Sequence, residues 1–238
     1  MKTDSLNMHE ELFVSILTAR DLVPLDTERV AEERRYYEMT PTISGKWSAI
    51  SDLVGLYTDA GYYDEAILVC KEVLKNPLLK EYFADLWVWV GKNSENKEDF
   101  EAALNAYLES IKIGSDNRYL QYWQHNNAGF CFLMQKNFAE AEKHCRIALE
   151  IDERTWVEVE RRYGSPLNWN AFKNLGAVME YTGRYHEAAS YYTVSIKLSR
   201  GIERAVLHLR RLMQRHPELI KWWKEPIEDL LTYYHVVV

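Results

Sequence analysis

The chain is short of the residues that make tight turns, with ten glycines and six prolines among 238 residues. An all-β sandwich or barrel needs a turn signal every ~8–12 residues, so that class is excluded. Cysteine is equally sparse. Three thiols, an odd number, argue against a disulfide framework and fit a reducing, cytoplasmic setting. Positive charge is in deficit, 29 Lys and Arg against 36 Asp and Glu, a net of −7. That balance argues against a general affinity for nucleic acid or anionic lipid. No apolar run approaches the ~18 residues of a membrane span. The short apolar stretch 12–19 has the length of a signal-peptide core, but Asp4, Glu10 and Glu11 precede it and no small-x-small cleavage site follows Arg20. A soluble protein that does not engage membranes is expected.

Chemical signatures are missing too. The seven histidines are scattered and form no HExxH, and no cysteine pair has zinc-ligand spacing. A glycine-rich phosphate loop and a GxSxG nucleophile elbow are both absent from the sequence. Cys70, Cys131 and Cys145 fall on packing positions of helices and read as core thiols. No catalytic residue, metal ligand or cofactor is expected.

What is present is a pattern. Residues 126–150, NNAGFCFLMQKNFAEAEKHCRIALE, form two amphipathic helices split by the polar turn Gln135-Lys136-Asn137. The same layout fits four windows: 47–80, 84–117, 122–155 and 169–202. Position twenty is always alanine (Ala66, Ala103, Ala141, Ala188), and position seventeen is always aromatic (Tyr63, Phe100, Phe138, Tyr185). Position eight is Val54, Gly91, Gly129 and Gly176; position twenty-eight is Leu74, Ile111, Leu149 and Ile196. Helix axes that approach to ~8–10 Å need small residues at the crossing, which positions eight and twenty supply. The large residues at seventeen and twenty-eight fill the space between neighbouring pairs.

These columns resemble the tetratricopeptide repeat, a helix-turn-helix unit of about 34 residues. The resemblance implies an all-α, right-handed α-solenoid of about four repeats between helical caps. The expected organisation is an N-terminal cap over 1–45, the repeat array over 46–202 and capping helices over 203–238. The cap should contain a helix near 9–21 and a second from Asp26 or Thr27 to about Glu38, stopped by Pro41. The alanine column is spaced by 37, 38 and 47 residues. The long interval places an insertion at 156–168, read as an overrunning helix and a loop. After residue 200 a helix over 202–216, with Val206, Leu209 and Met213 inward, should close the array.

In proteins of this family the first helix of each pair lines a concave surface through positions two, five, six, nine, twelve and thirteen. Here these include Trp89 in the second repeat and Trp123, Asn126, Asn127 and Phe130 in the third. The fourth contributes Asn170, Lys173, Asn174 and Tyr181. Asparagine offers both a donor and an acceptor and so matches a peptide unit. Asn127 and Asn174 share position six and resemble the asparagine ladders with which some members grip extended peptides. Trp89, Trp123, Phe130 and Tyr181 are candidate apolar anchors. The cations that chaperone-binding members use to clamp a terminal carboxylate are missing from the corresponding positions. The functional expectation is a cytoplasmic adaptor binding a protein or peptide ligand in its groove. The alternative is a homo-oligomeric scaffold with the caps or the 236–238 tail as interfaces. The basic stripe Arg204, His208, Arg211 and Arg215 reads first as a solvated face and only weakly as a nucleic-acid surface.

Overall fold

The computed structural model describes residues 22–150, 169–199 and 203–222. The expected helix near 9–21, the 156–168 insertion and the 236–238 tail lie outside the described residues. Within them the chain is all-α, with eleven α-helices and one 3-10 segment. Helix α1 (Thr27–Met39) starts at Asp26, whose side chain accepts from the Arg29 amide, and ends two residues before Pro41. Four antiparallel pairs follow. They are α2 (Ile43–Asp59) with α3 (Tyr63–Val73) and α4 (Phe83–Asn96) with α5 (Phe100–Ile113). Next come α6 (Arg118–Met134) with α7 (Phe138–Leu149) and α8 (Trp169–Tyr181) with α9 (Tyr185–Ser199). A 3-10 turn (Pro77–Tyr82) leads into the second pair, and α10 (Glu203–Arg215) and the short α11 (Glu218–Trp222) come last. Val206, Leu209 and Met213 are buried, as the periodicity of the last long helix requires.

Each pair is joined by the same three-residue device. The first helix is closed by a backbone bond from the residue at position sixteen to the carbonyl at position eleven. The four are Tyr62 to Tyr57, Asp99 to Ser94, Asn137 to Phe132 and Arg184 to Met179, at 2.8–3.0 Å. This is a Schellman-type end, and it needs a left-handed residue just before the donor. That residue is Gly61, Glu98, Lys136 and Gly183 in turn, with φ of 80, 65, 60 and 75°. Two of the four are therefore side chains held where glycine is preferred. Asp99 and Asn137 then cap the next helix by accepting from Ala102 and Glu140.

The crossing inside each pair explains the small-residue columns. Ala66, Ala103, Ala141 and Ala188 are fully buried. Position eight faces position twenty-four across the pair. A methyl at Gly91 would sit 2.6 Å from the Tyr107 ring, one at Gly129 2.6 Å from the Cys145 sulfur, and one at Gly176 2.5 Å from the Tyr192 ring. Cys70 stands at position twenty-four of the first repeat, opposite Val54, and both are buried. Repeats two and four share more than this. The Tyr107 and Tyr192 hydroxyls donate to Glu95 and Glu180, at 3.0 and 2.8 Å. Ser110 and Ser195 donate to the carbonyls of Ala84 and Trp169, at 2.6 and 2.9 Å. Burial first, then the adjacent carboxylate, pushes both phenols well above their usual range, so they remain donors.

The pairs stack into a solenoid because every helix packs on the next, and the first helices also touch one another: α4 with α6, and α6 with α8. Two outcomes are expected in urea melts. Gly176→Ala should cost about 1–3 kcal/mol by overpacking Tyr192, whereas Gly55→Ala, with open space around its Cβ position, should stabilise by ~0.5–1 kcal/mol. Lys136→Gly, which relieves a left-handed side chain, should also raise stability, by about 0.5–1 kcal/mol.

Candidate partner-binding face

The first helices α2, α4, α6 and α8 form one layer, and the predicted site residues all lie on α4, α6 and α8. Trp89 is half-buried and stacks on Trp47 at 4.7 Å and 8°; Trp47 stacks in turn on Tyr82 at 4.1 Å and 7°. Trp123 is half-buried, edge-on to Tyr119 and Tyr122 at 6.0 and 5.2 Å. Tyr181 stacks on Phe138 at 5.6 Å and 14°. Asn170 and Lys173 are half-buried on α8, and the Lys173 ammonium lies 5.9 Å from the Trp169 ring centroid. Half-buried aromatic rings and polar side chains thus lie on α4, α6 and α8.

The expectation that Asn126, Asn127, Asn174 and Phe130 stand open on this face requires correction. The three asparagines are only 4, 7 and 3% exposed. Asn174 Nδ2 donates to Asn126 Oδ1 at 3.1 Å, and Asn126 Nδ2 donates to Asn127 Oδ1 at 2.9 Å. Asn127 also hydrogen-bonds the Tyr107 phenol. The link between adjacent repeats therefore runs from Asn126 to Asn174, not between the two position-six residues. The physical reason is proximity. The inner helices lie close enough for amides to meet, and a buried amide that finds a partner avoids a desolvation penalty of about 1–3 kcal/mol. Phe130 is buried for a related reason: it packs edge-on against Phe100 at 5.9 Å and shares a small apolar cluster with Met134.

Sequence reasoning missed two features. One is the Glu95–Tyr107 and Glu180–Tyr192 pairing, which the columns carry as glutamate at position twelve and tyrosine at twenty-four of the same repeats. The other is a histidine pair at the crossing of α6 and α7. His125 and His144 approach Nδ1 to Nδ1 at 3.2 Å, so one neutral ring donates to the other. Phe132 packs on His144, and Glu140 lies 3.9 Å from its Nε2. Burial, reinforced by the His144 charge, pulls His125 down to about 4, and burial also lowers His144 despite Glu140. Among the described residues no group of three or more His, Cys, Asp or Glu could hold a metal ion. The thiols are buried and unpaired, and burial pushes Cys70 and Cys145 up to about 12, far from a reactive thiolate.

The histidine pair sets a pH dependence. Both folded values lie below the unfolded one near 6.5, so the unfolded chain takes up more protons in acid. The stability contributed is complete above pH ~6.5 and declines as the pH falls from there toward ~4. Urea melts from pH 7.5 to 4.5 should show this decline in the wild type. His125→Gln/His144→Gln should flatten it; an unchanged slope would remove the pair as its source.

No protein-family model matches the sequence, and no curated protein matches it. Solved structures do match. BtubC from P. vanneervenii superposes with a TM-score of 0.62 over 89% of this chain and 90% of its own, at 15% identity. PilF of Pseudomonas aeruginosa gives 0.59 over 79% of this chain and 74% of its own, at 19% identity. MamA gives 0.54 over 79% and 91%, at 17% identity. No described helix is long and apolar enough to cross a membrane. The four alanine crossings, the four identical turns and these superpositions lead to one conclusion: the chain has the tetratricopeptide-repeat-like fold, an all-α solenoid of stacked helical pairs.

Proposed function

We propose that this protein is a protein–protein interaction adaptor that holds a segment of a partner chain along the face made by α4, α6 and α8. The observation that carries the reading is the division of labour on these helices. Their glycines and small residues are spent on the crossing with the second helices. The opposite side keeps Trp89, Trp123, Tyr181, Asn170 and Lys173 at half exposure. Rigid aromatic rings bury much area for little lost rotamer freedom, which suits them as anchors. Asn126, Asn127 and Asn174 serve in this reading as a fixed polar floor beneath the ligand. They hold the helices in register rather than waiting as open amides. The fold likeness is compatible with such a role.

Affinity capture with the purified full chain tests the proposal. Lys173→Glu combined with Trp123→Leu should weaken a captured partner's Kd about tenfold or more. Leu68→Ala, an exposed position on α3, should leave it unchanged. Helicity by circular dichroism must be the same for all three proteins. A partner held equally well by the double variant moves the binding surface elsewhere.

A further inference from the structure

Three buried amides of the inner helices donate in one direction. Asn174 Nδ2 on α8 donates to Asn126 Oδ1 at 3.1 Å, and Asn126 Nδ2 donates to Asn127 Oδ1 at 2.9 Å. Asn127 in turn hydrogen-bonds the Tyr107 phenol and lowers it, which is the effect of a donor. Tyr107 donates to Glu95 Oε2 at 3.0 Å, and Lys92 donates to the other oxygen, Oε1, at 2.6 Å. A row of four bonds thus runs from α8 through α6 and α5 to a carboxylate on α4.

The row has a fixed sense. Two buried amides on their own are satisfied equally well whichever of them donates. Here a carboxylate ends the row, and a carboxylate only accepts. Glu95 claims the Tyr107 proton, the phenol oxygen is left to accept from Asn127, and each further amide turns its nitrogen toward Glu95 and its oxygen away. Asn174 comes last. No described residue donates to its Oδ1, and that atom does not belong to the buried polar atoms left without a partner, so it keeps contact with solvent. The link between the first two pairs is shorter and stops on backbone. Thr58 donates to Asn93 Oδ1, and Asn93 donates to the Trp89 carbonyl, each at 2.9 Å.

We infer that Glu95 is a positioning residue for partner binding. Through this row it sets the Asn174 amide with its oxygen outward, so that the inner face offers an acceptor there and takes an N–H of the partner segment. The inference rests on the adaptor reading and adds to it the hydrogen-bonding sense of one contact. Glu95→Gln should reverse that sense. Lys92 can only donate, so it keeps the oxygen of the new amide and leaves the nitrogen facing Tyr107. The phenol then accepts from that nitrogen and donates to Asn127. Asn127 and Asn126 turn over in sequence, and Asn174 presents its NH2 instead of its oxygen.

The first measurement follows the side-chain NH2 resonances of the full chain labelled with 15N-asparagine, with Asn174→Ala identifying the Asn174 pair. Glu95→Gln should move the pairs of Asn127, Asn126 and Asn174, the last of them four hydrogen bonds away. Asn170, on the same helix as Asn174, and Asn137, in the turn after α6, should stay in place. Tyr107→Phe keeps the ring against Gly91 and removes only the hydroxyl; it should move the same three pairs and serves if the first variant loses helicity. An Asn174 pair indifferent to both changes overturns the inference.

The second measurement uses twelve-residue peptides selected on phage against the wild-type chain. Each backbone amide of a selected peptide is replaced in turn by an ester, and each donor side chain by alanine. One replacement that removes an N–H should weaken Kd about tenfold. In Glu95→Gln the parent peptide should itself bind about tenfold more weakly, and the same replacement should cost nothing further. A peptide with no such position, or one whose loss is equal in both proteins, overturns the inference and leaves the adaptor reading standing. Failure to select any peptide overturns the adaptor reading and the partner contact together.

Discussion

The distance between the two helices of a pair governs the rest of the molecule. Once Gly91, Gly129 and Gly176 let the second helix come close, the side chain at position twenty-four packs directly against the glycine. A tyrosine ring or a cysteine fills that contact with nothing to spare. The choice between them splits the repeats into two sorts. Where tyrosine is used, its hydroxyl needs an acceptor after burial, and a glutamate at position twelve provides one; a serine three residues on secures the start of the first helix. Where cysteine is used, no buried phenol needs an acceptor, and position twelve is Thr58, which donates to Asn93 at 2.9 Å, or the buried Leu133. The alternation is thus a consequence of satisfying a buried hydroxyl.

The tyrosine-bearing repeats also bring a carboxylate to the inner layer, where it meets whatever helix follows. Glu95 sits beside the third repeat and is held locally by lysine. Glu180 sits beside α10 and gathers two arginines. Packing chemistry inside a pair therefore decides where charge appears on the face between pairs. The link runs from a single crossing to the electrostatics of a surface several ångströms away.

Most of the fold was legible because its constraints are local and repeat. Ala66, Ala103, Ala141 and Ala188 each mark a crossing, and Asp26 and Pro41 bracket α1. The turns were only half legible. Gly61 and Gly183 announce left-handed backbone, but Glu98 and Lys136 adopt it with nothing in their own chemistry to say so. The face was the least legible part. A helical period tells which side of α6 carries Asn126, Asn127 and Phe130. It does not tell how near α8 comes, and that separation decided that Asn126, not Asn127, meets Asn174. The basic stripe on α10 was obscured for a similar reason: it reads as a solvated face, yet His208 stacks on Tyr192 at 5.3 Å and 15° and Arg211 comes within 4.0 Å of Glu180.

The hydrogen bond from Asn174 to Asn126 has a counterpart on the outer edge of the same joint, where Arg184 of the fourth pair reaches Glu142 of the third at 2.6 Å and Arg146 reaches the Tyr191 hydroxyl at 3.3 Å. A joint tied along both edges behaves like a braced beam: opening it toward either side stretches one tie while the other is compressed. The third and fourth pairs are thereby set as one stiff block. A guest lying across them would not have to bend the protein into shape, and its on-rate would be governed by collision and orientation rather than by waiting for the host to move.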